Sequence, residues 1–301
     1  MSTDSHAPSV AVESSPAVRS RLGAYLALTK PRIIELLLIT TVPAMVLAAG
    51  RWPGIWLVLT TLIGGTLSAG GANTLNSYLD RDIDEVMKRT RGRPLAQHEV
   101  PPRSALIFGV ILGVAGFAWL TVTTNVLAAS ISTAALLFYV FVYTIALKRT
   151  SVQNIVIGGA AGAAPVLVGW AAVTGGVGIP AWVLFLIVFY WTPPHFWALA
   201  LRYKDDYEQA GIPMLPVVAG VEATTRRMLL YTGLMVGTSL LLVPLGAMSW
   251  IYLIAALALG AWFLWDTWGV YRDPSQAMRL FTTSTVYLSA LFGAVMLDVL
   301  V

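Results

Sequence analysis

The chain of 301 residues is 57% hydrophobic and only 11% charged, with a formal net charge of +4, where an average soluble domain carries about 25% charged residues. That composition excludes a water-soluble globule and points to a protein whose solvent partner is the lipid bilayer. Cysteine is absent, which excludes disulfides, iron–sulfur clusters and thiolate chemistry, and the basic residues sit in short loops between apolar runs, a membrane-topology signal rather than a nucleic-acid footprint.

Residues 1–20 are rich in Ser, Ala, Pro and Val and lack an apolar core of signal-peptide length, so 1–22 is expected to be a disordered cytoplasmic tail without a cleavable targeting peptide. Residues 23–301 then form a single membrane-embedded domain. Apolar runs able to cross ~30 Å of hydrocarbon lie at 33–50, 54–78, 104–124, 126–147, 154–174, 180–200, 229–248, 251–270 and 281–300, predicting an all-α bundle of nine transmembrane helices. With the N-terminus inside, 18 of the 19 Lys and Arg residues fall on the cytoplasmic side and only Arg51 on the other, so the C-terminus is expected outside. The two long loops, 79–103 and 201–228, share the cytoplasmic face, four helices apart, a spacing that hints at a weak internal repeat. A bacterial inner (cytoplasmic) membrane, with the site facing the cytoplasm, is the expected location.

At the end of the second run, Asn76, Asp80 and Asp84 fall at i, i+4 and i+8, on one face if the helix continues. Carboxylates so spaced repel unless a cation lies between them, and oxygen-only donors suit Mg²⁺, which completes its shell with water and phosphate oxygens. The basic run Lys88-Arg89-Thr90-Arg91-Gly92-Arg93 follows within two turns. Acids for a metal and cations for a phosphate in one short segment describe a metal–diphosphate clamp. Gly64-Gly65, Gly70-Gly71 and Gly158-Gly159 lie inside spans, where small residues permit close helix contact; no phosphate-loop pattern surrounds them.

The N-x3-D-x3-D pattern at a helix end, a second acidic loop four helices on and nine spans resemble the intramembrane prenyltransferases of the UbiA type, over essentially the whole membrane domain. Leu28-Thr29-Lys30-Pro31-Arg32, Asn76 through Pro94, Trp191-Thr192-Pro193-Pro194-His195-Phe196-Trp197, and Lys204-Asp205-Asp206-Tyr207 with Ala210-Gly211-Ile212-Pro213-Met214-Leu215-Pro216 are similar to the haem-farnesylating members. The resemblance implies transfer of farnesyl from farnesyl diphosphate to the 2-vinyl group of haem b, giving haem O, with Mg²⁺ on Asn76, Asp80 and Asp84. Under it, Lys88, Arg89 and Arg91 take phosphate oxygens and Lys148-Arg149 reach the same face. It also implies a haem A synthase or oxidase assembly factors as candidate partners.

In the second loop many relatives carry D-x3-D, whereas here Tyr203 and Tyr207 stand at those positions with Lys204, Asp205 and Asp206 between them. Asp205 and Asp206 are expected as second-loop metal ligands and Lys204 as a substrate contact; the alternative is that the acids cap a helix or pair with Lys204. His195, after two prolines in a span, is either a haem-iron ligand or a packed histidine hydrogen-bonded locally. Two other functions compete: the same prenyl chemistry on a hydroxybenzoate or naphthoate ring, and a cation-coupled transporter. A transporter needs acids near the bilayer midplane, yet the acids cluster at one interface apart from Asp266 and Asp298.

Overall fold

A computed structural model describes residues 19–301, excepting the side chains of 32–38. The expected tail over 1–22 is therefore outside the described residues as far as 18, and its last four positions are a correction: they belong to the fold. Ser20 Oγ accepts from the Gly23 amide and caps the first helix, α1 (Arg21–Leu28). Arg19 reaches across to Glu99 at 3.2 Å and to the Gly92 carbonyl.

Among the described residues the structure is helical. After α1 come α2 (Pro31–Ala49), α3 (Ile55–Leu79), a short α4 (Arg81–Val86), α5 (Pro102–Thr123) and α6 (Val126–Leu137). The last runs without a break into a ten-residue π-helix, Phe138–Leu147. Then follow α7 (Asn154–Thr174), α8 (Ile179–Arg202), the short α9 (Lys204–Gln209) and α10 (Leu215–Val218), α11 (Gly220–Leu240), α12 (Trp250–Arg272), a 3₁₀ turn and α13 (Ala277–Leu300). The punctuation is local chemistry: Pro31, Pro102 and Pro180 open helices where a missing N–H costs nothing, and Gly50 and Gly175 end them at positive φ.

Among the described residues, seven helices are long and apolar enough to cross a membrane. Of the nine expected spans, the seventh differs, and part of the first lies outside the described residues. Of the first, α2, the described apolar part is Ile39–Ala49. The seventh, expected at 229–248, is α11, which starts at Gly220 and stops at Leu240. Pro244 and Gly246, the latter at φ 68°, turn 241–248 back on itself, while Glu222, Arg226 and Arg227 give the helix a polar first half.

The bundle closes through small residues and large aromatics. Helices α3 and α5 pack most extensively, because a Cβ at Gly71 would lie 2.8 Å from the Gly109 carbonyl oxygen and the Gly113 nitrogen, and one at Gly116 2.9 Å from the Ser68 nitrogen. The largest core lies between α8, α11, α12 and α13, around the buried Trp191, Trp197, Tyr252, Phe263 and Tyr287. There the two membrane acids away from the interface cluster are already committed. Asp266 pairs with Arg279 at 2.7 Å and accepts from Thr283, while Asp298 caps α12 through the Ser249 and Tyr252 amides. Neither is the free midplane carboxylate that cation transport needs.

Candidate active site

The three-residue pattern survives a break in the helix. Asp80 ends α3 at φ −94°, ψ 5°, yet its amide donates to the Asn76 carbonyl at 2.9 Å and the Asp84 amide to the Asp80 carbonyl at 2.8 Å. The four-residue step therefore carries across, and Asn76, Asp80 and Asp84 are brought together with relative exposures of 3%, 0% and 1%. Carboxylates so deeply buried are costly unless paired, and each has a partner. Arg93 Nη1 donates to both oxygens of Asp84 at 2.8 Å. Lys148 and the Asn76 amide nitrogen, the latter at 2.7 Å, donate to Asp80 Oδ2. Asp80 Oδ1 is buried with no hydrogen-bond partner among the described residues.

Asn76 is held from three sides. Its Nδ2 also donates to Thr144 Oγ1 at 3.1 Å, and its Oδ1 accepts from Lys30 Nζ at 2.8 Å. Lys30 has φ 54° and ψ 63°, a left-handed conformation rare outside glycine and disfavoured again by the following Pro31. Such geometry costs about 1–3 kcal/mol and persists where surrounding structure imposes it; here it accompanies an ammonium placed against the Asn76 amide. Burial first, then the neighbouring Arg93, lowers the Lys30 pKa well below the usual lysine value, with Asp84 and Asp80 opposing.

The opposite wall comes from the π-helix. Its wider turn lets Thr144 Oγ1 donate to the Tyr139 carbonyl five residues back and the Lys148 amide to the Tyr143 carbonyl, both over 2.8–2.9 Å. Tyr139 and Tyr143 stack with ring centroids 5.2 Å apart. Local π geometry of this kind is frequent at functional sites.

These elements enclose a cavity of about 310 Å³, within the range of small-molecule sites. Lys30, Asn76, Asp84, Arg89, Arg93 and Lys148 line its polar end, and Tyr139, Tyr143 and Tyr207 stand beside them. Beyond the tyrosines the lining turns small and apolar, through Ala72, Ala69 and Gly65 on α3 and Gly162 and Val168 on α7. The shape suits an anionic head with a long apolar tail.

Of the two acids expected from the second loop, one is buried against the first loop and neither lines the cavity. Asp206 is buried and accepts from the Arg89 amide at 3.3 Å, tying the two loops together. The Arg89 guanidinium lies 6.0 Å from the ring centroids of both Tyr203 and Tyr207 and donates to the Tyr207 hydroxyl at 3.4 Å. Asp205 is exposed, and neither it nor the half-buried Lys204 lines the cavity. Lys88 and Arg91 are likewise exposed and off the cavity. They follow the point where α4 ends and the chain enters a series of turns that no longer keeps one face inward. Arg149 points away from Lys148: it forks onto both oxygens of Asp82 at 2.7 Å, beside a separate shallow hollow, and these hydrogen bonds hold the Asp82 carboxyl below its usual range.

His195 is packed, but its hydrogen bond goes to a side chain of α13 rather than to a backbone carbonyl freed by the Pro193-Pro194 kink. The ring is buried between Trp191 and Phe281, at centroid distances of 4.2 and 4.3 Å, and Nδ1 lies 2.7 Å from Ser284 Oγ. Its neighbours Trp191, Thr192 and Phe196 line the cavity; His195 does not. The Ser284 hydroxyl donates to the Phe281 carbonyl, so Nδ1 is the nitrogen that carries the proton toward Ser284.

Among the described residues no three His, Cys, Asp or Glu side chains form a closed metal cage. The oxygen-only donors Asn76, Asp80 and Asp84, with one buried carboxylate oxygen unpartnered, nevertheless fit a hard divalent ion that takes its remaining ligands from a bound substrate. Sequence reasoning did not single out Lys30, Arg93, Thr144 or the three tyrosines. Lys30 before Pro31, Arg93 at the end of the basic run and Tyr207 in the second loop were signals in hand; Tyr139 and Tyr143 needed the π-helix.

Residues 37–292 match the model of the UbiA prenyltransferase family. The chain is similar to proteins named protoheme IX farnesyltransferase from Clavibacter michiganensis subsp. michiganensis, 54% identical over 93% of this chain and 94% of that one, and from Mycolicibacterium smegmatis, 54% identical over 93% and 92%. Its fold is similar to that of a solved digeranylgeranylglyceryl phosphate synthase (TM-score 0.76, 19% identity, 93% of this chain and 98% of that one). A UbiA homolog from Archaeoglobus fulgidus bound to DMAPP and Mg²⁺ also matches (TM-score 0.62, 15% identity, 90% and 99%).

Proposed function

Because the chain belongs to the UbiA prenyltransferase family, we propose that it transfers the farnesyl group of farnesyl diphosphate to the 2-vinyl group of haem b, giving haem O. The observation that carries the donor half is the cavity itself: cations and the Asp84 carboxylate at one end, largely apolar residues along the rest. The acceptor half is supported by 54% identity, across nearly the full length of both chains, to proteins named protoheme IX farnesyltransferase. Dependence on Mg²⁺ is supported by the donor set and by the Mg²⁺-bound homolog.

Asn76, Asp80 and Asp84 would hold Mg²⁺, with Asp206 the candidate from the second loop; the ion when bound neutralises the diphosphate and makes it a better leaving group. Lys148, Arg93 and Lys30 stand where they can donate to the diphosphate oxygens, and Arg89, tied to Asp206 of the second loop, lines the same end. As the allylic carbon–oxygen bond breaks, positive charge develops on the farnesyl carbon beside Tyr139, Tyr143 and Tyr207, whose ring faces attract a cation. The apolar lining keeps water from that carbon until the vinyl group attacks. The vinyl-derived cation then takes hydroxide from water with loss of a proton. The distribution of basic residues in the sequence supports a site on the cytoplasmic side of the inner membrane, where a haem A synthase or oxidase assembly factors could take the product.

The test is purified protein incubated with haem b, farnesyl diphosphate and Mg²⁺, with the haems separated by chromatography and weighed by mass spectrometry. A product heavier than haem b by farnesyl plus hydroxyl, lost on adding EDTA and regained with excess Mg²⁺, is the expected result. Unchanged haem b, with diphosphate released only when an aromatic acid is supplied, would move the activity to another acceptor. His195→Ala should leave haem affinity in a spectral titration within about twofold while lowering the melting temperature. It removes a stacked, fully packed ring, a change of the kind that costs about 3–5 kcal/mol in a core. A loss of haem binding with an unchanged melting temperature would restore His195 as an iron ligand.

A further inference from the structure

Each side-chain oxygen group that would coordinate the metal already has one of the chain's own cations on it. Asn76 Oδ1 takes Lys30 at 2.8 Å, Asp80 Oδ2 takes Lys148, and both oxygens of Asp84 take Arg93 at 2.8 Å. These three donors come from three separate places in the chain: the α1–α2 junction, the end of the π-helix and the loop after α4. All three line the cavity beside Asn76 and Asp84. At the mouth, the remaining pair of opposite charges, Arg89 and Asp206, is joined through the Arg89 amide.

A bare divalent ion approaching these oxygens therefore meets positive charge. On Asp84 it must displace Arg93 from both oxygens, and on Asp80 it must either displace Lys148 from Oδ2 or settle on the unpartnered Oδ1 against the Lys148 charge, leaving part-buried cations with less anion to answer them, a penalty for buried charge. A diphosphate arriving with the metal removes that penalty, because its oxygens accept the displaced ammonium and guanidinium groups in charge-assisted hydrogen bonds. Metal and diphosphate each make room for the other.

Resting on the proposed role of Asn76, Asp80 and Asp84 as metal ligands, we infer that Lys30, Lys148 and Arg93 act as a counter-ion relay that admits the metal only together with a diphosphate. They sit on the ligand oxygens first and move to the diphosphate when the metal takes their place. No bond is made or broken and no proton needs to move in this exchange; it is a swap of ionic partners. Its consequence is strong positive coupling between the two ligands, which by linkage must be reciprocal.

Mn²⁺ binding followed by electron paramagnetic resonance tests this without any turnover, on full-length protein in detergent, with and without saturating inorganic diphosphate. The expected result is that diphosphate tightens Mn²⁺ binding by more than tenfold beyond its own chelation of the ion, measured in a protein-free control. In Lys148→Met, which frees Asp80, Mn²⁺ alone should bind more tightly than to the wild type, and the coupling should shrink at least severalfold. Equal Mn²⁺ affinity with and without diphosphate in the wild type would overturn the relay, as would a Lys148→Met variant that binds Mn²⁺ and keeps the full coupling. Should Lys148→Met fail to fold, the wild-type comparison alone decides. Absence of Mn²⁺ binding even with diphosphate, in protein that melts cooperatively, would instead overturn the assignment of the metal ligands.

Discussion

Asp84→Ala should lower kcat for prenyl transfer by about 10³-fold or more while leaving insertion and folding intact. Asp84 is the carboxylate that both lines the cavity and is 1% exposed, with Arg93 donating to each of its oxygens. Removing it deletes a metal ligand and leaves Arg93 without its anion. Charge stabilisation of a leaving group by a bound metal is worth several kcal/mol, and each 1.36 kcal/mol is about tenfold in rate. Asp80→Asn should fall in the same range, since it preserves the shape of a side chain that is 0% exposed and removes only the charge that Lys148 answers. Asp205→Ala is the matched control: the side chain is exposed and off the cavity, so turnover should stay within about twofold. Haem O formation measured against folded protein, quantified by size-exclusion monodispersity, checks all three. Near-normal turnover in Asp84→Ala would remove the first-loop site, and a collapse in Asp205→Ala would move the second-loop assignment away from Asp206.

A stability effect that also reaches the site lies away from the charges. Gly71→Ala should destabilise the protein by about 1–3 kcal/mol, because the added methyl would stand 2.8 Å from the Gly109 carbonyl oxygen and the Gly113 nitrogen, backbone atoms that cannot rotate away. Relief requires α3 and α5 to separate, and Asn76 lies five residues further along α3, so turnover should fall with stability. Gly233→Ala in α11 is the contrast. Nothing lies within 4 Å of its would-be Cβ, and helix propensity then favours alanine by up to about 1 kcal/mol. Thermal unfolding in detergent, followed by tryptophan fluorescence, should move in opposite directions for the two variants; a neutral Gly71→Ala would mean that the α3–α5 contact is slack.

Much of this was legible in the chain before any coordinates. Apolar runs and Lys/Arg placement gave an all-helical membrane bundle, and the four-residue spacing of Asn76, Asp80 and Asp84 predicted their convergence because helical geometry is local. What the spacing could not carry was direction once the helix stopped. Past Val86 the chain turns, and Lys88 and Arg91 face outward while Arg89 and Arg93 face the cavity. Adjacent Lys148 and Arg149 divide in the same way, one to Asp80 and one to Asp82. Hydropathy also placed the seventh span too late, since it weighs the apolar 241–248 stretch without the turn that Pro244 and Gly246 impose. Lys30 stayed hidden for a different reason. Its contact with Asn76 joins positions 46 apart in sequence, and nothing local announces a long-range partner.

The π-helix Phe138–Leu147 carries a consequence of a different kind. In an α-helix, five residues advance about 500°, so side chains that far apart point some 140° away from each other; the wider turn narrows that angle, and here the Thr144 hydroxyl and the Lys148 amide each reach the carbonyl five residues back. The wall of the cavity is thereby specified by count as well as by kind. Phe141 and Ile145, both more than a third exposed on the outer side, can be exchanged for other apolar residues with little effect, yet deleting either would turn Lys148 away from Asp80 without altering a single functional group. Between 138 and 147 the chain tolerates changes of spelling and not of length.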